Sequence, residues 1–229
     1  MLKAQHNFLA QKIFYPYLER LLKKNFSHFY FTNELPQIDK NLGLIITPNH
    51  FSWWDGFFIG YVERKFIKRK IHIMMLEEQL RKYWFFQKVG AYSINPNNSK
   101  SIIETSNYTS QLITNENVVV IYPQGNIEPF DPEQINIKKG LQLFTKKTKD
   151  NFMVLPVAFK IQFYEEKKPA IITRFGNYLD GKIINENYEL YINEFIKNVS
   201  LLNELSNKKL FIKIFLKKIN GRCIYNIVS

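Results

Sequence analysis

Apolar residues recur at every third or fourth position in the first segment of the chain, which predicts an amphipathic helix over residues 7–24. Pro16 lies inside this pattern, so we expect a kink there or a break into two shorter helices. Such a helix either packs on the protein's own core or lies in a membrane interface, and the pattern leaves both open. Its apolar positions are Phe8, Leu9, Ile13, Phe14, Tyr17, Leu18, Leu21 and Leu22.

From residue 42 onwards, short apolar runs alternate with segments of helical periodicity. We predict strands over residues 42–47, 71–76, 91–94, 118–122, 153–160 and 170–175. Helices are predicted over 55–64, 77–89, 99–115, 137–147 and 186–205, with Ser99 as the N-cap of the third. Residues 209–218 fit a strand, since their apolar positions alternate, and they fit a helix nearly as well.

Alternation of strands with helices of this length predicts an α/β fold. We expect a single domain with a largely parallel or mixed central sheet flanked by helices, plus the N-terminal amphipathic helical segment. Residues 1–35 form that helical segment, a candidate for membrane association, and residues 36–229 form the α/β domain.

Composition narrows the class of partner. The 229 residues carry a formal net charge of +12, and 16% of them are aromatic, which suits nucleic acid, an acidic membrane surface or an acidic carrier. The lone cysteine, Cys223, excludes a disulfide framework and a cysteine-based zinc site. No run of apolar residues is long enough for a spanning helix, and the first 19 residues do not resemble a cleaved secretion signal.

His50 is the histidine with a candidate partner. It follows a predicted buried strand and Pro48-Asn49, which places it on a loop at the carboxyl end of the sheet, where α/β proteins bind ligands. Asp55 comes five residues later, at the start of a predicted helix. An imidazole held by a carboxylate can take a proton from a substrate hydroxyl. Spacing alone equally fits an N-cap aspartate beside an unrelated loop histidine. The remaining histidines, interpreted as surface or core residues, are His6, His28 and His72.

The segment Asn49-His50-Phe51-Ser52-Trp53-Trp54-Asp55 resembles the Asn-His-x4-Asp motif of the 1-acylglycerol-3-phosphate acyltransferase superfamily, the glycerolipid or lysophospholipid acyltransferases. Three further blocks follow in the family's order. They are Gly90 to Pro96, Tyr122-Pro123-Gln124-Gly125-Asn126 where the family has Phe-Pro-Glu-Gly-Thr, and Val154-Leu155-Pro156-Val157-Ala158.

This resemblance implies an enzyme that transfers an acyl group from acyl-CoA or acyl carrier protein to a hydroxyl of a lipid-like acceptor. His50 would be the general base, Asp55 its orienting partner, and backbone N–H groups of the turn at residues 123–125 candidate donors to the oxyanion. Neither a cofactor nor a metal is implied. The expected location is peripheral, on the cytoplasmic face of an anionic membrane. Candidate substrate-binding residues are Asn49, Tyr122, Pro123, Gln124, Gly125 and Asn126.

The chain departs from the family at the positions expected to bind phosphate. Pro96 stands where the second block has arginine, and Ile127 stands where an arginine often follows the third block. Gln124 replaces the family's glutamate and Asn126 its threonine. We therefore expect an acceptor that is not a simple phosphomonoester. The alternative keeps lysophosphatidate as the acceptor, with a lysine in place of the missing arginine; the candidates are Lys100, Lys138 and Lys139.

A hypothesis of another class is a non-catalytic nucleic-acid-binding protein, whose lysines contact phosphates and whose aromatic side chains stack on bases. No nucleic-acid-binding motif is recognisable, and most of the lysines are dispersed along the chain. We therefore predict no nucleic-acid partner.

Overall fold

The structure is a computed structural model that describes residues 1–149 and 151–215 of the chain. Seven α-helices are present in this described part: α1 (Phe8–Asn25), α2 (Asp55–Val62), α3 (Glu77–Lys82), α4 (Ser99–Leu112), α5 (Gly140–Thr145), α6 (Gly181–Glu186) and α7 (Tyr188–Asn207). A π-helical turn (Glu63–Ile67) continues α2, and a 3-10 helix (Trp84–Val89) follows α3. The strands are β1 (Phe29–Phe31), β2 (Gly43–Pro48), β3 (Lys70–Leu76), β4 (Ala91–Ile94), β5 (Asn117–Val120), β6 (Phe152–Gln162), β7 (Ala170–Phe175), β8 (Leu179–Asp180) and β9 (Lys213–Phe215).

The nine strands of the described residues form one mixed sheet. Eight of them follow the order β4-β3-β5-β2-β6-β7-β1-β9, and β8 pairs with β6 beside this path. Strands β4, β3, β5, β2 and β6 run parallel to one another, while β7 is antiparallel to β6. The prediction of an α/β fold with a largely parallel or mixed sheet is confirmed.

Helices cover both faces of the sheet, so its central strands are buried on both sides. All six residues of β2 are buried, and successive side chains enter opposite cores: Ile46 faces the core under α1 and α2, and Ile45 faces the core under α4, α5 and α7. A strand buried on two faces reads as a continuous apolar run, which is why β2 and β5 were recognisable from the sequence.

Helix α1 runs unbroken through Pro16, so of the two predicted alternatives, a kink or a break into two shorter helices, the break is wrong. Pro16 lies on the exposed side of α1, where water can replace the hydrogen bond that proline removes. Asn7 caps the helix by accepting a hydrogen bond from the N–H of Ala10 at 3.0 Å. Leu18 and Leu22 are buried in the same core as α2, which fastens α1 to the sheet.

Other boundaries differ for local reasons. Asn98 is the N-cap of α4 in place of Ser99, since its side chain accepts from the N–H of Ser101. The helix predicted over 77–89 divides into α3 and the 3-10 helix, and the one predicted over 137–147 shortens to α5. The segment 209–218 contains strand β9, and its last three residues lie outside the described residues, as does Cys223. Strands β1 and β8 were not predicted.

Among the helices of residues 1–149 and 151–215, none combines the length and apolar character needed to cross a membrane.

A buried carboxyl group lies at the contact between α1 and the end of α2. Glu63 is almost wholly buried, and its Oε2 accepts a 3.4 Å hydrogen bond from the hydroxyl of Tyr15. Burial raises the pKa of Glu63 to about 7, because the charged form loses its hydration. The hydrogen bond and the nearby Arg64 guanidinium favour the charged form and offset part of this effect.

We predict that Glu63 makes the protein less stable as the pH rises. Below the unfolded-state pKa both states are protonated; between 4.5 and about 7 the unfolded chain releases the proton that the folded state retains. Relative to Glu63→Gln, the wild type should lose roughly 1–3 kcal/mol of unfolding free energy between pH 5 and pH 8. Urea denaturation at both pH values tests this, with the exposed Glu78→Gln as control. Equal pH dependence in the wild type and Glu63→Gln would contradict it.

Candidate active site

The candidate site forms where two parallel neighbours, β2 and β5, end at the same edge of the sheet. Their pairing places Leu44 opposite Val118 and Ile46 opposite Val120. The loop that follows β2 carries His50, and the loop that follows β5 begins with residues 121–126, so the register brings the two loops side by side. This edge is where open α/β sheets place ligands.

His50 and Asp55 contact each other within the first loop. His50 Nδ1 lies 2.8 Å from Asp55 Oδ2, the imidazole is 22% exposed, and the carboxylate is fully buried. Because the carboxylate accepts from Nδ1–H, the neutral tautomer carries its lone pair on Nε2. The arrangement therefore provides a partly accessible base with a fixed ring orientation.

The buried carboxylate of Asp55 is held by the loop that precedes its helix. Oδ2 also accepts from the backbone N–H groups of Phe51 (2.8 Å) and Ser52 (3.0 Å). Burial raises the pKa of Asp55, and the hydrogen bonds from His50, Ser52 and Phe51 oppose that shift. Trp54 occupies the N-cap position of α2, so the alternative of Asp55 as an N-cap residue is wrong. Asp55 instead closes the loop back onto His50.

Asn49 connects the histidine loop to strand β6. Its side-chain Nδ2 donates to the carbonyl of Phe159 at 2.9 Å, and its Oδ1 accepts from the N–H of the same residue at 2.7 Å. Both hydrogen-bonding ends of the amide are therefore occupied by backbone. This geometry gives Asn49 a part in positioning the loop, beside its predicted part in substrate binding.

Tyr122 forms one wall of the site. Its ring stacks on the imidazole of His50 with centroids 4.3 Å apart, and its hydroxyl oxygen is buried without a hydrogen-bond partner among the described residues. Burial, together with the negative charge of Asp55, raises the pKa of Tyr122 far above its usual range. The contact with His50 thus comes from the aromatic ring and needs no hydroxyl.

The turn at residues 123–126 lies next to His50. Gln124 accepts from the His50 N–H at 2.6 Å, and Gly125 adopts a left-handed backbone with φ of 73°. The N–H of Gly125 donates to the carbonyl of Tyr122, so it is engaged inside the turn. For the N–H groups of Gln124 and Asn126, the structure of residues 1–149 and 151–215 shows no acceptor.

Lys138 rests against this turn. Its backbone is fixed at both ends, because its N–H donates to the Pro123 carbonyl and its carbonyl accepts from the hydroxyl of Tyr188. Its Nζ lies 3.2 Å from the point where a Cβ on Gly125 would be, so glycine leaves room for the ammonium group. With the amide oxygen of Asn126 turned towards it, Nζ donates a hydrogen bond at 3.1 Å.

The other histidines lie away from this edge. His6 and His72 meet edge to face with centroids 4.7 Å apart, near the amino ends of β3 and β5, and burial lowers the pKa of each to about 4. They line a cavity of about 550 Å³ that does not include His50. His28 stacks on Tyr30 of β1. The interpretation of all three as surface or core residues agrees with these positions.

In the part of the chain that the structure describes, no three histidine, cysteine or acidic side chains gather into a group that could hold a metal ion.

The family follows from comparison with known proteins. A model of the acyltransferase family matches residues 28–160, more than half of the chain, and this range contains the His50–Asp55 loop and the turn after β5. The chain therefore belongs to the acyltransferase family, and the protein is an acyltransferase.

A solved structure of the same fold is the 1-acyl-sn-glycerophosphate (LPA) acyltransferase PlsC from Thermotoga maritima. The two structures match with a TM-score of 0.59 at 18% sequence identity, covering 83% of this chain and 79% of that one. At this identity the match establishes the fold. No curated protein matches the chain significantly.

Glu128 was missed by sequence reasoning. Its carboxylate accepts from Nε2 of Gln124 at 3.0 Å, and its N–H donates to the His50 carbonyl. It lies in an irregular loop, four positions after Gln124, where no periodic pattern or motif marks it. The contact arises because the loop folds back onto His50 in the tertiary structure.

We predict that Tyr122→Phe retains stability. The variant keeps the ring that stacks on His50 and removes a buried hydroxyl without a partner in the described structure, so the free energy of unfolding should stay equal or rise by about 1 kcal/mol. Tyr92→Phe is the matched control: its buried hydroxyl bonds Thr109 at 3.0 Å, and its loss should cost about 1 kcal/mol. Chemical denaturation measures both, and a clear loss of stability in Tyr122→Phe would refute the prediction.

Proposed function

We propose that this acyltransferase moves a fatty acyl group from a thioester, acyl-CoA or acyl carrier protein, to a hydroxyl of a lipid-like acceptor. His50 serves as the general base. The observation that carries the proposal is the 2.8 Å contact between His50 Nδ1 and the buried Asp55, which leaves Nε2 as the ring's free base.

In the proposed reaction, His50 Nε2 removes the proton of the acceptor hydroxyl while its oxygen attacks the thioester carbonyl carbon. The negative charge moves to the carbonyl oxygen, and the Asp55 carboxylate stabilises the imidazolium. When the tetrahedral intermediate collapses, the carbon–sulfur bond breaks and His50 returns the proton to the departing thiolate. The N–H groups of Gln124 and Asn126 are candidate donors to the oxyanion, since that of Gly125 is already engaged.

An exposed apolar surface beside the site supports a lipid-like acceptor and peripheral membrane binding. On α1, Phe8 is 76% exposed and Ile13 is 69% exposed, although their helix packs firmly against the core by its other side. Phe14 of α1 contacts Phe57, with ring centroids 6.3 Å apart, and Phe57 in turn packs on Trp53 at 4.8 Å. Trp53 lies in the same loop as His50, so the aromatic contacts lead from α1 to the candidate site. The membrane-docking surface is defined here as Phe8, Leu9, Ile13, Tyr17, Trp53 and Trp84.

The positive charge of the chain fits this role. Anionic lipid attracts each lysine or arginine close to the surface by about 1 kcal/mol. Helix α1 carries exposed basic side chains next to its apolar face, and these are Lys12, Arg20, Lys23 and Lys24. We therefore propose binding at the cytoplasmic face of an anionic membrane, with no role in binding nucleic acid.

The acceptor is proposed to lack a phosphomonoester. The arginine positions of the family are occupied by Pro96 and Ile127, neither of which can form a bidentate contact with phosphate. One observation favours the alternative, lysophosphatidate as acceptor: the ammonium group of Lys138 rests on the turn beside His50. A lysine provides a point charge there, without the geometric selectivity of arginine.

We predict that His50→Ala lowers kcat by at least about 10²-fold, because the hydroxyl then loses its base. Asp55→Asn should also lower kcat, since the buried acceptor that fixes the imidazole tautomer loses its charge. A thiol-release assay with acyl-CoA measures both, and circular dichroism checks the fold. His28→Gln is the control, because His28 lies at β1 away from the site. Full activity in a folded His50→Ala protein would rule out His50 as the base.

We predict that Lys138→Gln discriminates between the two acceptors. With lysophosphatidate, kcat/KM should fall about ten-fold, while a neutral or zwitterionic lysolipid should be used as before. Lys139→Gln is the matched control, because Lys139 is the next residue along the chain and its side chain is exposed like that of Lys138. Wild-type enzyme given both acceptors in competition should consume the one without a phosphomonoester first. Faster use of lysophosphatidate would overturn that choice and favour the alternative.

We predict that the wild type sediments with anionic phosphatidylglycerol liposomes in moderate salt and does not bind single-stranded DNA. Replacing Phe8, Leu9 and Ile13 by serine should reduce liposome binding at least about ten-fold, because burial of each large apolar side chain is worth roughly 1.5–3 kcal/mol. Leu143→Ser is the control, since Leu143 is exposed on α5, on the opposite face of the sheet. DNA binding without liposome binding would instead support the nucleic-acid hypothesis.

A further inference from the structure

A closed set of hydrogen bonds surrounds the main chain of His50. The His50 N–H donates to Gln124 Oε1 at 2.6 Å, Gln124 Nε2 donates to Glu128 Oε2 at 3.0 Å, and the Glu128 N–H donates to the His50 carbonyl at 3.0 Å. Asp55 holds the imidazole, whereas these bonds hold the backbone from which it projects. The loop after β5 therefore fixes the backbone position from which the His50 side chain extends.

The chemistry of this set fixes which residue types can occupy it. Gln124 is buried, so its side chain needs partners at both ends of the amide. Its oxygen accepts from the His50 N–H, so its nitrogen points to the opposite side and requires an acceptor there. The carboxylate of Glu128 provides that acceptor, and a hydrogen bond to a charged group is stronger than one between neutral groups.

We propose that Gln124 and Glu128 form a positioning pair for His50, built from one amide and one carboxylate. Sequence resemblance places glutamate at position 124 in the family, and with Glu128 present that residue would put two carboxylates about 3 Å apart. Like charges at this separation repel, or share a proton at a raised pKa. The glutamine at position 124 is thus matched to the chain's own Glu128. The proposal rests on the proposed role of His50 as base, and it makes a separate geometric claim.

The experiment compares the wild type, Gln124→Glu and the double variant Gln124→Glu/Glu128→Gln, which exchanges the two residues. Gln124→Glu alone should lower kcat about ten-fold or more, with the KM for the acyl donor nearly unchanged, because the pair opens and His50 is displaced. In the exchanged double variant, the carboxylate at 124 accepts from both the His50 N–H and the new amide at 128. Its kcat should return to within about three-fold of the wild type.

Two further measurements separate positioning from general stability. NMR hydrogen exchange should show a less protected His50 amide in Gln124→Glu and restored protection in the exchanged variant, whether or not activity is measured. The pH dependence of kcat should also shift in Gln124→Glu and return in the exchanged variant, because a displaced imidazole no longer meets Asp55 in the same geometry. Glu133→Gln, on the exposed part of the same loop, is the control expected to behave as wild type.

The outcomes decide the proposal in each case. Rescue by the exchange, in both kcat and His50 protection, supports the pair. A Gln124→Glu variant with wild-type kcat and protection overturns it, as does a folded exchanged variant that stays as impaired as the single one. If wild-type enzyme transfers no acyl group, the proposed function fails, and the exchange measurement still decides whether the pair holds His50.

Discussion

Strand β2 lies between β5 and β6 in parallel register, and the geometry of the candidate site depends on that pairing. The register sends the His50 loop and the turn at 123–126 out of the same edge, within hydrogen-bonding distance of each other. Asn49, the residue after β2, extends the contact between β2 and β6, because both ends of its side-chain amide bond the backbone of Phe159. A shift of one residue would move every side chain of β2 to the other face and displace His50.

The pair of His50 and Asp55 combines a buried carboxylate with a partly exposed imidazole. Asp55 is shielded from water, and its Oδ2 accepts from the His50 ring and from the N–H groups of Phe51 and Ser52, while its Oδ1 has no partner in the described structure. His50 remains partly exposed and can meet a substrate. Tyr122 covers one side of its ring and restricts rotation. The same short loop therefore buries the Asp55 carboxylate, orients the His50 imidazole and carries the exposed Trp53. In our proposal, this brings the base close to the membrane lipid.

Helix α1 serves the fold and, in our proposal, the membrane. Leu18 and Leu22 lie in the main core, and β1, which follows the helix, pairs in parallel with β7. Residues 1–35 are therefore continuous with the α/β domain in both core and sheet. The side of α1 that faces away carries Phe8 and Ile13 in open contact with solvent. One helix can perform both functions because its apolar positions extend around more than the face that packs.

The sequence by itself determined the α/β class and most of the buried strands, because local periodicity encodes them. It proposed the pair of His50 and Asp55 through the resemblance of residues 49–55 to a family motif, since their spacing alone left two interpretations. It left open whether α1 packs on the core or lies in a membrane interface. It also missed β1 and β8, whose three and two residues are too short to show alternation. Glu128 and the resting place of Lys138 were decided by the tertiary structure alone. Both depend on an irregular loop that folds back over the sheet edge, and contacts between residues distant along the chain leave no periodic trace in it.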